Sequence, residues 1–394
     1  MAEFKLVKIS DIAQTNTSSY SSKNNWAFVN YLDTGNITQN VIESIQHIDL
    51  TEEKLPSRAK RKVKTNSIIY STVRPNQLHY GIVKSQPQNF LVSTGFTVID
   101  VDETKAVAEY VYYFLTQADI VESLQAIGEQ SVSTYPSIKP SDIENIEIPL
   151  PSLDVQKKIV GILKSLDDKI ASNSAINNNL YEMVNAYYTS LFKDVECEMT
   201  TIGNYAERIY SGGTPTTSNA TYWDGAFGWF SSGETRNRFV ISTEKTITQA
   251  GIDNSSTKLA EKHDIVMASA GQGFTRGQTS MLLIDTYVNQ SVIVIHADRN
   301  VLPYLFWNLA NRYEELRAIS DSSSIRGSLT TKMIATFEIP LATEDSLQAF
   351  ADFSWSVIPQ IENNLLENES LAALRDTLLP KLMSGEVDVS SIQI

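Results

Sequence analysis

The chain repeats itself once, with a period of roughly 190–200 residues, and this duplication constrains its fold more than any other feature. Four motifs of the first half recur in the same order in the second half. The matched pairs are Asp33-Thr-Gly-Asn36 with Ser231-Ser-Gly-Glu234, Asn66-Ser-Ile-Ile-Tyr-Ser71 with Lys262-His-Asp-Ile-Val-Met-Ala-Ser269, Val92-Ser-Thr-Gly-Phe-Thr-Val-Ile99 with Val288-Asn-Gln-Ser-Val-Ile-Val-Ile295, and Asn145-Ile-Glu-Ile-Pro-Leu150 with Thr336-Phe-Glu-Ile-Pro-Leu341. Solenoid repeats are much shorter. The preserved order predicts one domain-plus-helix unit that is used twice.

Each half opens with a β-rich block. Residues 63–100 alternate β-branched and aromatic runs with turn residues, which predicts successive strands, and a helix with one apolar face is predicted over 106–126. The second half repeats this pattern, with strands predicted over 264–270, 279–285 and 290–297 and a helix over 303–319. Pro303 suits the first turn of that helix, where a backbone N–H is not needed. The fold class predicted from these patterns is α+β.

Each half closes with a long helix. From residue 153 to residue 192, apolar residues recur at both seam positions of a heptad repeat, interrupted by Asn173 and Asn177. A similar spacing runs over 347–383, where Pro359 predicts a bend or a late start. A single heptad seam needs a partner, so we expect the two helices, each about 38 residues and roughly 57 Å long, to pair as an antiparallel coiled coil. The alternative is that each helix packs on its own domain.

These patterns divide the chain into four segments. Two similar β-rich domains are predicted over 1–150 and 199–341, separated by helical segments over 151–198 and 342–394, as a pseudo-two-fold internal repeat. The 42% hydrophobic and 20% charged fractions are typical of a soluble globular protein. The sequence shows no signal-peptide pattern and no apolar run near the roughly 18 residues of a membrane span. With a single cysteine as well, we expect a cytoplasmic protein.

The charge is distributed unevenly along the chain. The formal net charge is −14, which argues against a protein that holds DNA unaided, because phosphate contacts need lysine and arginine. Residues 342–394 alone carry 2 basic and 9 acidic side chains, whereas residues 1–150 carry 13 basic and 17 acidic ones. Half of the excess negative charge therefore lies in the last helical segment. A chain that holds DNA together with partner subunits is compatible with this balance.

Three further motifs resemble those of a known family. The segment Ile148-Pro-Leu-Pro-Ser-Leu-Asp-Val-Gln-Lys-Lys-Ile-Val160, with the helix that follows it, is similar to the central conserved region of the specificity subunits of Type I restriction-modification systems. Leu378-Leu-Pro-Lys-Leu-Met-Ser-Gly-Glu-Val387 resembles the end of their second conserved region, and Ser211-Gly-Gly-Thr-Pro215 resembles the opening of their target-recognition domains. Together with the repeat, the resemblance covers essentially the whole chain.

The resemblance implies a non-catalytic DNA-recognition subunit. Each of two target-recognition domains would read half of a bipartite, gapped site in double-stranded DNA, and the helices would span the gap and dock two methyltransferase subunits. Restriction and translocase subunits would complete the complex. S-adenosylmethionine, ATP and Mg²⁺ would belong to these partner subunits, so the resemblance implies no cofactor in this chain and no membrane partner.

Two clusters in the first half are candidates for DNA contact. Lys60, Arg61, Lys62 and Lys64 belong to the densest basic run of the chain, and such spacing suits a track of phosphates. A solvated loop is the alternative. The second cluster lies in a predicted turn between strands and offers groups that can bind base edges. Its members are Arg74, Asn76, Gln77 and His79, and a plain polar hairpin is the alternative.

The second half offers two polar loops. Ser232-Gly-Glu-Thr-Arg-Asn-Arg238 presents Arg236 and Arg238, and Gly271-Gln-Gly-Phe-Thr-Arg-Gly-Gln278 presents Gln272, Thr275 and Arg276. Because a strand rather than a helix follows the second loop, its glycine spacing does not indicate a dinucleotide site. Ordinary surface loops remain the alternative for both. We expect Trp26, Trp223, Trp229 and Trp307 to lie in the core.

Motifs for catalysis or metal binding do not occur in the sequence. It contains neither a phosphate-binding loop nor the Asp/Asn-Pro-Pro-aromatic motif of adenine methyltransferases, and its four histidines are far apart. We therefore expect no catalytic, cofactor-binding or metal-binding residue. Two other functions remain open: a nuclease with a scattered carboxylate site, and a structural coiled-coil adaptor that binds no nucleic acid. A cleavage assay with metal and a DNA pull-down with all partners would distinguish them.

Overall fold

A computed structural model describes residues 4–131, 135–193, 198–271, 274–322 and 327–390, with 42% of these residues in helices and 25% in strands. The contacts between residues divide the chain into two compact units. Unit 1 contains residues 1–169 and 370–394, and unit 2 contains residues 170–369. The division falls within the two predicted helical segments, so each long helix contributes one part to each unit.

Unit 1 consists mainly of short strands. The strands are β1 (Lys5–Lys8), β2 (Ala13–Thr15), β3 (Phe28–Leu32), β4 (Ile37–Thr38), β5 (Val41–Ile42), β6 (Gln46–Asp49), β7 (Ala59–Arg61), β8 (Ile68–Ser71), β9 (Tyr80–Ile82), β10 (Phe90–Ser93), β11 (Phe96–Val101) and β12 (Glu147–Leu150). The helices are α1 (Ile9–Ile12), α2 (Ala108–Leu115), α3 (Ala118–Glu129), α4 (Pro140–Glu144) and α5 (Leu153–Phe192), of which residues 153–169 belong to this unit.

Two four-stranded sheets form the body of unit 1. Their strand orders are β6-β3-β10-β7 and β2-β11-β8-β9, and β3 and β10 are the parallel pair. Every residue of β8 is buried because alternate side chains face opposite cores. Ile68 and Tyr70 pack with the helices, whereas Ile69 packs with the opposite sheet, β6-β3-β10-β7. A separate pair, β1 with β12, joins the start of the domain to the strand before α5.

Unit 2 is built from a corresponding set of elements. The strands are β13 (Met199–Thr201), β14 (Ala206–Ser211), β15 (Trp223–Phe230), β16 (Phe239–Val240), β17 (Lys245–Ile247), β18 (Lys258–Ala260), β19 (Ile265–Ala268), β20 (Thr279–Leu282), β21 (Thr286–Val288), β22 (Val292–Ala297) and β23 (Glu338–Pro340). The helices are α6 (Ile202–Tyr205), α7 (Gln249–Asp253), α8 (Leu302–Ala310), α9 (Tyr313–Ser322), α10 (Thr331–Ala335) and α11 (Glu344–Met383), of which residues 344–369 belong to this unit.

The sheets of unit 2 reproduce those of unit 1, which confirms the predicted duplication and the α+β class. The orders are β17-β15-β21-β18 and β14-β22-β19-β20-β16, with β16 as an added edge strand. The parallel pair also recurs, as β15 with β21. As in β8, alternate residues of β19 face two cores, with Ile265 and Met267 on one side and Val266 on the other. Strand β13 pairs with β23, as β1 does with β12.

One partly buried hydrogen bond recurs in both units and explains part of the sequence repeat. The hydroxyl of Tyr110 donates to the carbonyl of Pro149 (2.6 Å). In unit 2 the hydroxyl of Tyr304 donates to the carbonyl of Pro340 (2.5 Å). Both prolines belong to the repeated Glu-Ile-Pro-Leu motif. The proline carbonyl of the motif therefore holds α2 against β12 in unit 1 and α8 against β23 in unit 2.

The long helices run antiparallel to each other within each unit, as predicted. In unit 1, Arg375 donates to Asp167 (2.8 Å), while Lys158, earlier in α5, reaches the carbonyl of Ser390 (2.7 Å). In unit 2, Asn173 donates to Asn368 (3.0 Å), and Asn177 accepts a hydrogen bond from Asn364 (2.7 Å). Both seam asparagines thus pair with amides of the facing helix, which supports a role in setting the register of the pair.

Three predictions about helices were wrong in detail. The single helix predicted over 106–126 is two helices, α2 and α3, because Gln117 adopts an extended conformation and is buried at the junction. The helix predicted over 303–319 is likewise divided into α8 and α9. Helix α11 starts at Glu344, so the predicted late start is wrong. It is continuous through Pro359, and the bend predicted there stays a prediction. Burial of the neighbouring Ile358 and Ile361 in the core of unit 2 favours this continuity.

Candidate nucleic-acid interface

The predicted basic run of unit 1 lies on and just after an edge strand. Lys60 and Arg61 belong to β7, which pairs with β10 on one side, and Lys62 and Lys64 follow it. Lys60 and Lys64 are exposed, whereas Arg61 and Lys62 are half-buried. The backbone of Lys60 accepts a hydrogen bond from the amide of Tyr20 (2.7 Å), so the outer edge of β7 is partly covered. The four side chains therefore lie on one short segment, residues 60–64, at the surface of unit 1.

A tryptophan lies beside this basic run. The ammonium group of Lys62 lies 5.2 Å from the centre of the Trp26 ring, and Trp26 also contacts the ring of Tyr20. Unit 2 has a similar pair, in which Lys245 lies 5.7 Å from the centre of the Trp223 ring. Both tryptophans are half-buried. Trp26 packs at the edge of a core cluster of unit 1, so the expectation of a core position is met only in part for Trp26 and is wrong for Trp223. Trp229 and Trp307 are buried, as expected.

The predicted turn after β8 is a short 3-10 helix, Pro75–Gln77. Arg74 and Leu78 flank it with positive φ angles of 47° and 59°, which reverse the chain within few residues. The side chains of Asn76 and Gln77 are exposed. Their amides can therefore bind base edges without first breaking packing.

Arg74 is held in place by the loop that follows α3. Its guanidinium carbon lies 4.8 Å from the centre of the Tyr135 ring, and its amide donates to the carbonyl of Pro136 (3.0 Å). An arginine stacked on an aromatic ring keeps its N–H groups available in the ring plane. Tyr135, which sequence reasoning missed, is therefore part of this candidate surface. Exposed aromatic residues beside polar loops would have been the signal.

His79 has a contact that the sequence could not show. Its Nδ1–H donates to the carbonyl of Ile37 (2.6 Å), which is 42 residues away in the chain. This bond fixes the loop of residues 74–79 against strand β4. Its Nε2 is then the ring atom that remains to meet a ligand, and contact of His79 with DNA stays a prediction.

The two arginines after β15 differ in their surroundings. Arg236 ends the 3-10 helix Ser232–Arg236 and forms an exposed ion pair with Glu244. Arg238 is exposed and directly precedes β16, and its guanidinium carbon lies 4.2 Å from the centre of the Tyr181 ring. Exposed ion pairs contribute little to stability, so Arg236 can exchange Glu244 for a phosphate at small cost.

The loop between β19 and β20 is the topological counterpart of residues 72–79, as the sequence repeat predicted. Gln272 lies outside the described residues, and Thr275 is half-buried. Arg276 is only 8% exposed, because its guanidinium donates to the carbonyl of Gly327 (2.6 Å) and pairs with Asp321. These contacts show Arg276 holding the loop to α9 and to Gly327, which follows that helix. Contact of Arg276 with DNA stays a prediction that would require breaking both contacts.

Phe274 is a second aromatic residue that sequence reasoning missed. Its side chain is 84% exposed, and its carbonyl accepts a hydrogen bond from the hydroxyl of Tyr313 (2.6 Å). Phe274 is thus the exposed aromatic residue of the loop in unit 2, as Tyr135 is the exposed aromatic residue beside the loop of unit 1.

The histidines form no metal-binding cluster within the part of the chain that the structure describes. No group of three His, Cys, Asp or Glu side chains there is placed to hold a metal ion. His296 contacts the buried carboxylate of Asp264 at 2.5 Å, and burial, the largest influence, raises the pKa of Asp264 above its usual value. His263 contacts the ring of Trp355, and burial lowers the pKa of this histidine. In the same ranges, no helix is both long and apolar enough to cross a membrane.

Comparison with known proteins agrees with this duplicated architecture. Residues 1–182 and 195–367 each match the family described as Type I restriction modification DNA specificity domain. The Type I restriction enzyme HindI specificity subunit of Haemophilus influenzae is 22% identical over 466 residues, covering 98% of this chain and 100% of that protein. The EcoR124I/EcoR124II specificity subunit of Escherichia coli is 28% identical over 264 residues, covering 65% and 64%.

A solved structure shows the same fold. The S subunit of a Type I restriction-modification system from M. genitalium matches with a TM-score of 0.58 at 16% identity, and the match covers 97% of this chain and 96% of that one. The family match spans most of both halves of the chain. The chain therefore belongs to the Type I restriction-modification specificity subunits, with one DNA specificity domain in each half.

Proposed function

We propose that this chain reads a bipartite, gapped site in double-stranded DNA, one half-site with each unit. The observation that carries the proposal is the duplicated sheet topology, which gives each unit a polar loop in the same place, between β8 and β9 or between β19 and β20. Two similar readers in one chain suit a site with two separate halves. The predicted contacts are Lys60, Arg61, Lys62, Lys64, Arg74, Asn76, Gln77 and His79 in unit 1, and Arg236, Arg238, Gln272, Thr275 and Arg276 in unit 2.

In this proposal, phosphates and base edges are bound by different groups. The lysines on and after β7 would contact phosphates, which position the protein without distinguishing bases. The amides of Asn76 and Gln77 suit adenine, and the guanidinium of Arg74 suits guanine, through paired hydrogen bonds. Because Tyr135 supports Arg74 from one side, that guanidinium is already oriented before it meets DNA.

The helices would dock two methyltransferase subunits, and restriction and translocase subunits would join the complex. Residues 342–394 support a protein partner for this region, because their 2 basic and 9 acidic side chains are unsuited to phosphates. The partner subunits would bring S-adenosylmethionine, ATP and Mg²⁺. This chain would contribute recognition and position the methyltransferases, and would itself catalyse no reaction, in the cytoplasm of the cell.

The proposal is tested by co-expressing the chain with its methyltransferase subunit and mapping adenine methylation across the host genome. We expect methylation confined to one motif with two specific halves and an unspecified gap. Methylation of an undivided motif, or none from a soluble complex, would contradict the proposal. Methylation by the isolated chain with S-adenosylmethionine alone would contradict its non-catalytic role.

A further inference from the structure

The connection from β3 to β6 in unit 1 occupies the same place as the connection from β15 to β17 in unit 2. Each begins with a 3-10 helix, Thr34–Asn36 or Ser232–Arg236. In unit 2 the connection then forms β16, which lies parallel to β20. In unit 1 it forms the hairpin of β4 and β5, and this hairpin lies on β9, the counterpart of β20. The two units therefore present different segments at one equivalent position.

Several hydrogen bonds hold the β4–β5 hairpin to the candidate DNA-reading loop. The amide of Gln39 donates to the carbonyl of Leu78 (2.9 Å), and the amide of Asn40 donates to the carbonyl of Tyr80 (2.8 Å). The side-chain oxygen of Asn40 accepts from the amide of Ile82 (2.9 Å). The bond from His79 to Ile37 adds a further link. The hairpin is thus a fixed extension of the loop formed by residues 74–79.

A glycine permits this close approach. A Cβ atom at Gly81 would lie 2.7 Å from Cδ1 of Ile37 and 2.8 Å from the side-chain oxygen of Asn40. At the hairpin tip, Gln39 and Asn40 have φ angles of 46° and 67°, as in the two-residue turns that match the twist of paired strands. The hairpin is therefore built into the domain and held in one position against β9.

The surface of the hairpin combines apolar side chains with amides and carries no lysine or arginine. Residues 39–47 are all exposed, and the side chains of Val41 and Ile42 are 67% and 45% exposed. Between residues 34 and 48 the one ionised side chain is Glu43, with neither lysine nor arginine. Without lysine or arginine, such a segment is poorly suited to neutralising phosphates. Exposed β-branched side chains next to amides instead suit the edges of bases, where the C5 methyl group of thymine is the apolar feature.

We propose that the β4–β5 hairpin enters the major groove of the half-site read by unit 1, where Val41 and Ile42 contact thymine methyl groups. The inference rests on the proposed function of the chain. The equivalent position in unit 2 carries Arg236 and Arg238, which suit guanine or phosphate. The two halves of the recognised site are therefore read at this position by different chemistry, and the half-site of unit 1 contains at least one A·T pair.

The experiment uses the full chain in complex with its methyltransferase subunit. The double variant V41S/I42S removes the apolar surface, and L6S is the matched control because Leu6 on β1 is also 67% exposed. After the methylated motif has been mapped, each thymine of the motif is replaced in turn by deoxyuridine, which lacks the methyl group. Binding of these duplexes is compared by competition with the unmodified duplex.

For the wild type and L6S, we expect deoxyuridine at one or more positions of a single half-site to weaken binding about fourfold, as expected from exposing one methyl group to water. For V41S/I42S we expect weaker binding of the unmodified duplex and no further loss with deoxyuridine at those positions. In genome mapping, this variant should relax the same half-site and leave the other half intact.

Three outcomes would overturn the inference. In the first, V41S/I42S changes neither the methylated motif nor the sensitivity of binding to deoxyuridine. In the second, the half-site read by unit 1 consists of G·C pairs alone. In the third, V41S/I42S no longer binds the methyltransferase subunit, which would make the hairpin a protein-docking surface. A wild-type complex that methylates no gapped motif would count against the proposed function. A gapped motif that V41S/I42S leaves unaltered would count against the hairpin alone.

Discussion

Arg276 and Arg236 lie on loops that sequence reasoning placed at DNA, yet their guanidinium groups have different surroundings. Arg276 is buried and bound to the carbonyl of Gly327 and to Asp321. Arg236 is exposed, and Glu244 is its ion-pair partner. Local sequence showed two arginines in polar loops and could not separate them, because the contacts of Arg276 come from residues about 50 positions away in the chain.

The substitution Arg276→Ala should lower the free energy of unfolding by about 2 kcal/mol, because it removes a buried side chain together with its charge-assisted hydrogen bond to the half-buried carbonyl of Gly327. The matched change Arg236→Ala should alter it by less than about 0.5 kcal/mol, as is usual for surface positions. Urea denaturation of both variants measures the difference. Equal effects on stability would mean that Arg276 is not a structural residue.

Lys60 gives a test of the phosphate track. It is exposed on β7, so Lys60→Ala should leave stability unchanged and weaken the DNA binding of the assembled complex equally for all sequences. The slope of log affinity against log salt concentration should fall by about 1, the change expected for one phosphate contact. A change confined to particular DNA sequences would indicate base reading instead.

At the scale of elements, the sequence predicted what depends on local periodicity. The bounds of α5 agree with the heptad pattern, and the repeat of motifs agrees with the repeat of strands. The break between α2 and α3 contains neither glycine nor proline, and it depends on the burial of Gln117, a tertiary contact. The β4–β5 hairpin was missed because its strands have two residues each.

The facing amides of α5 and α11 can be tested as a pair. Asn364 is buried and donates to Asn177, so Asn177→Leu should cost about 1–2 kcal/mol by leaving a buried donor without an acceptor. The double variant N177L/N364L should recover most of this loss, because both polar groups are then gone. A double-mutant cycle by urea denaturation measures the coupling. Additive losses would show that the two amides do not act together.

At the scale of the whole molecule, tyrosines buried in both units link stability to alkaline pH. Burial raises the pKa of Tyr31 and of Tyr188 to about 12, and the pKa values of seven other tyrosines are also raised, mainly by burial. These are Tyr70, Tyr80, Tyr110, Tyr112, Tyr113, Tyr181 and Tyr210. In an unfolded chain the phenol has a pKa of about 10.

The direction of the pH effect follows from these raised values. Above about pH 10 the unfolded chain loses phenol protons that the folded chain keeps, so unfolding is increasingly favoured as pH rises. We expect the buried tyrosines to leave the free energy of unfolding unchanged below about pH 10 and to lower it steeply between about pH 10 and 12. Urea midpoints across this range measure it, with tyrosinate absorbance as the second signal. The substitution Tyr188→Phe should make the slope shallower, and an unchanged slope would contradict the assignment.

The return of residues 370–390 to unit 1 has a consequence for the order in which the chain folds on the ribosome. Leu379, Leu382, Met383 and Val389 belong to the same core as Ile9 and Ile159, yet residues 170–369 are synthesised between them. Domains usually fold as they emerge, N-terminal first. Unit 1 emerges first, but the apolar face of α5 that packs against residues 379–383 must stay uncovered while unit 2 is made. The second unit to be synthesised is therefore the first that can finish folding.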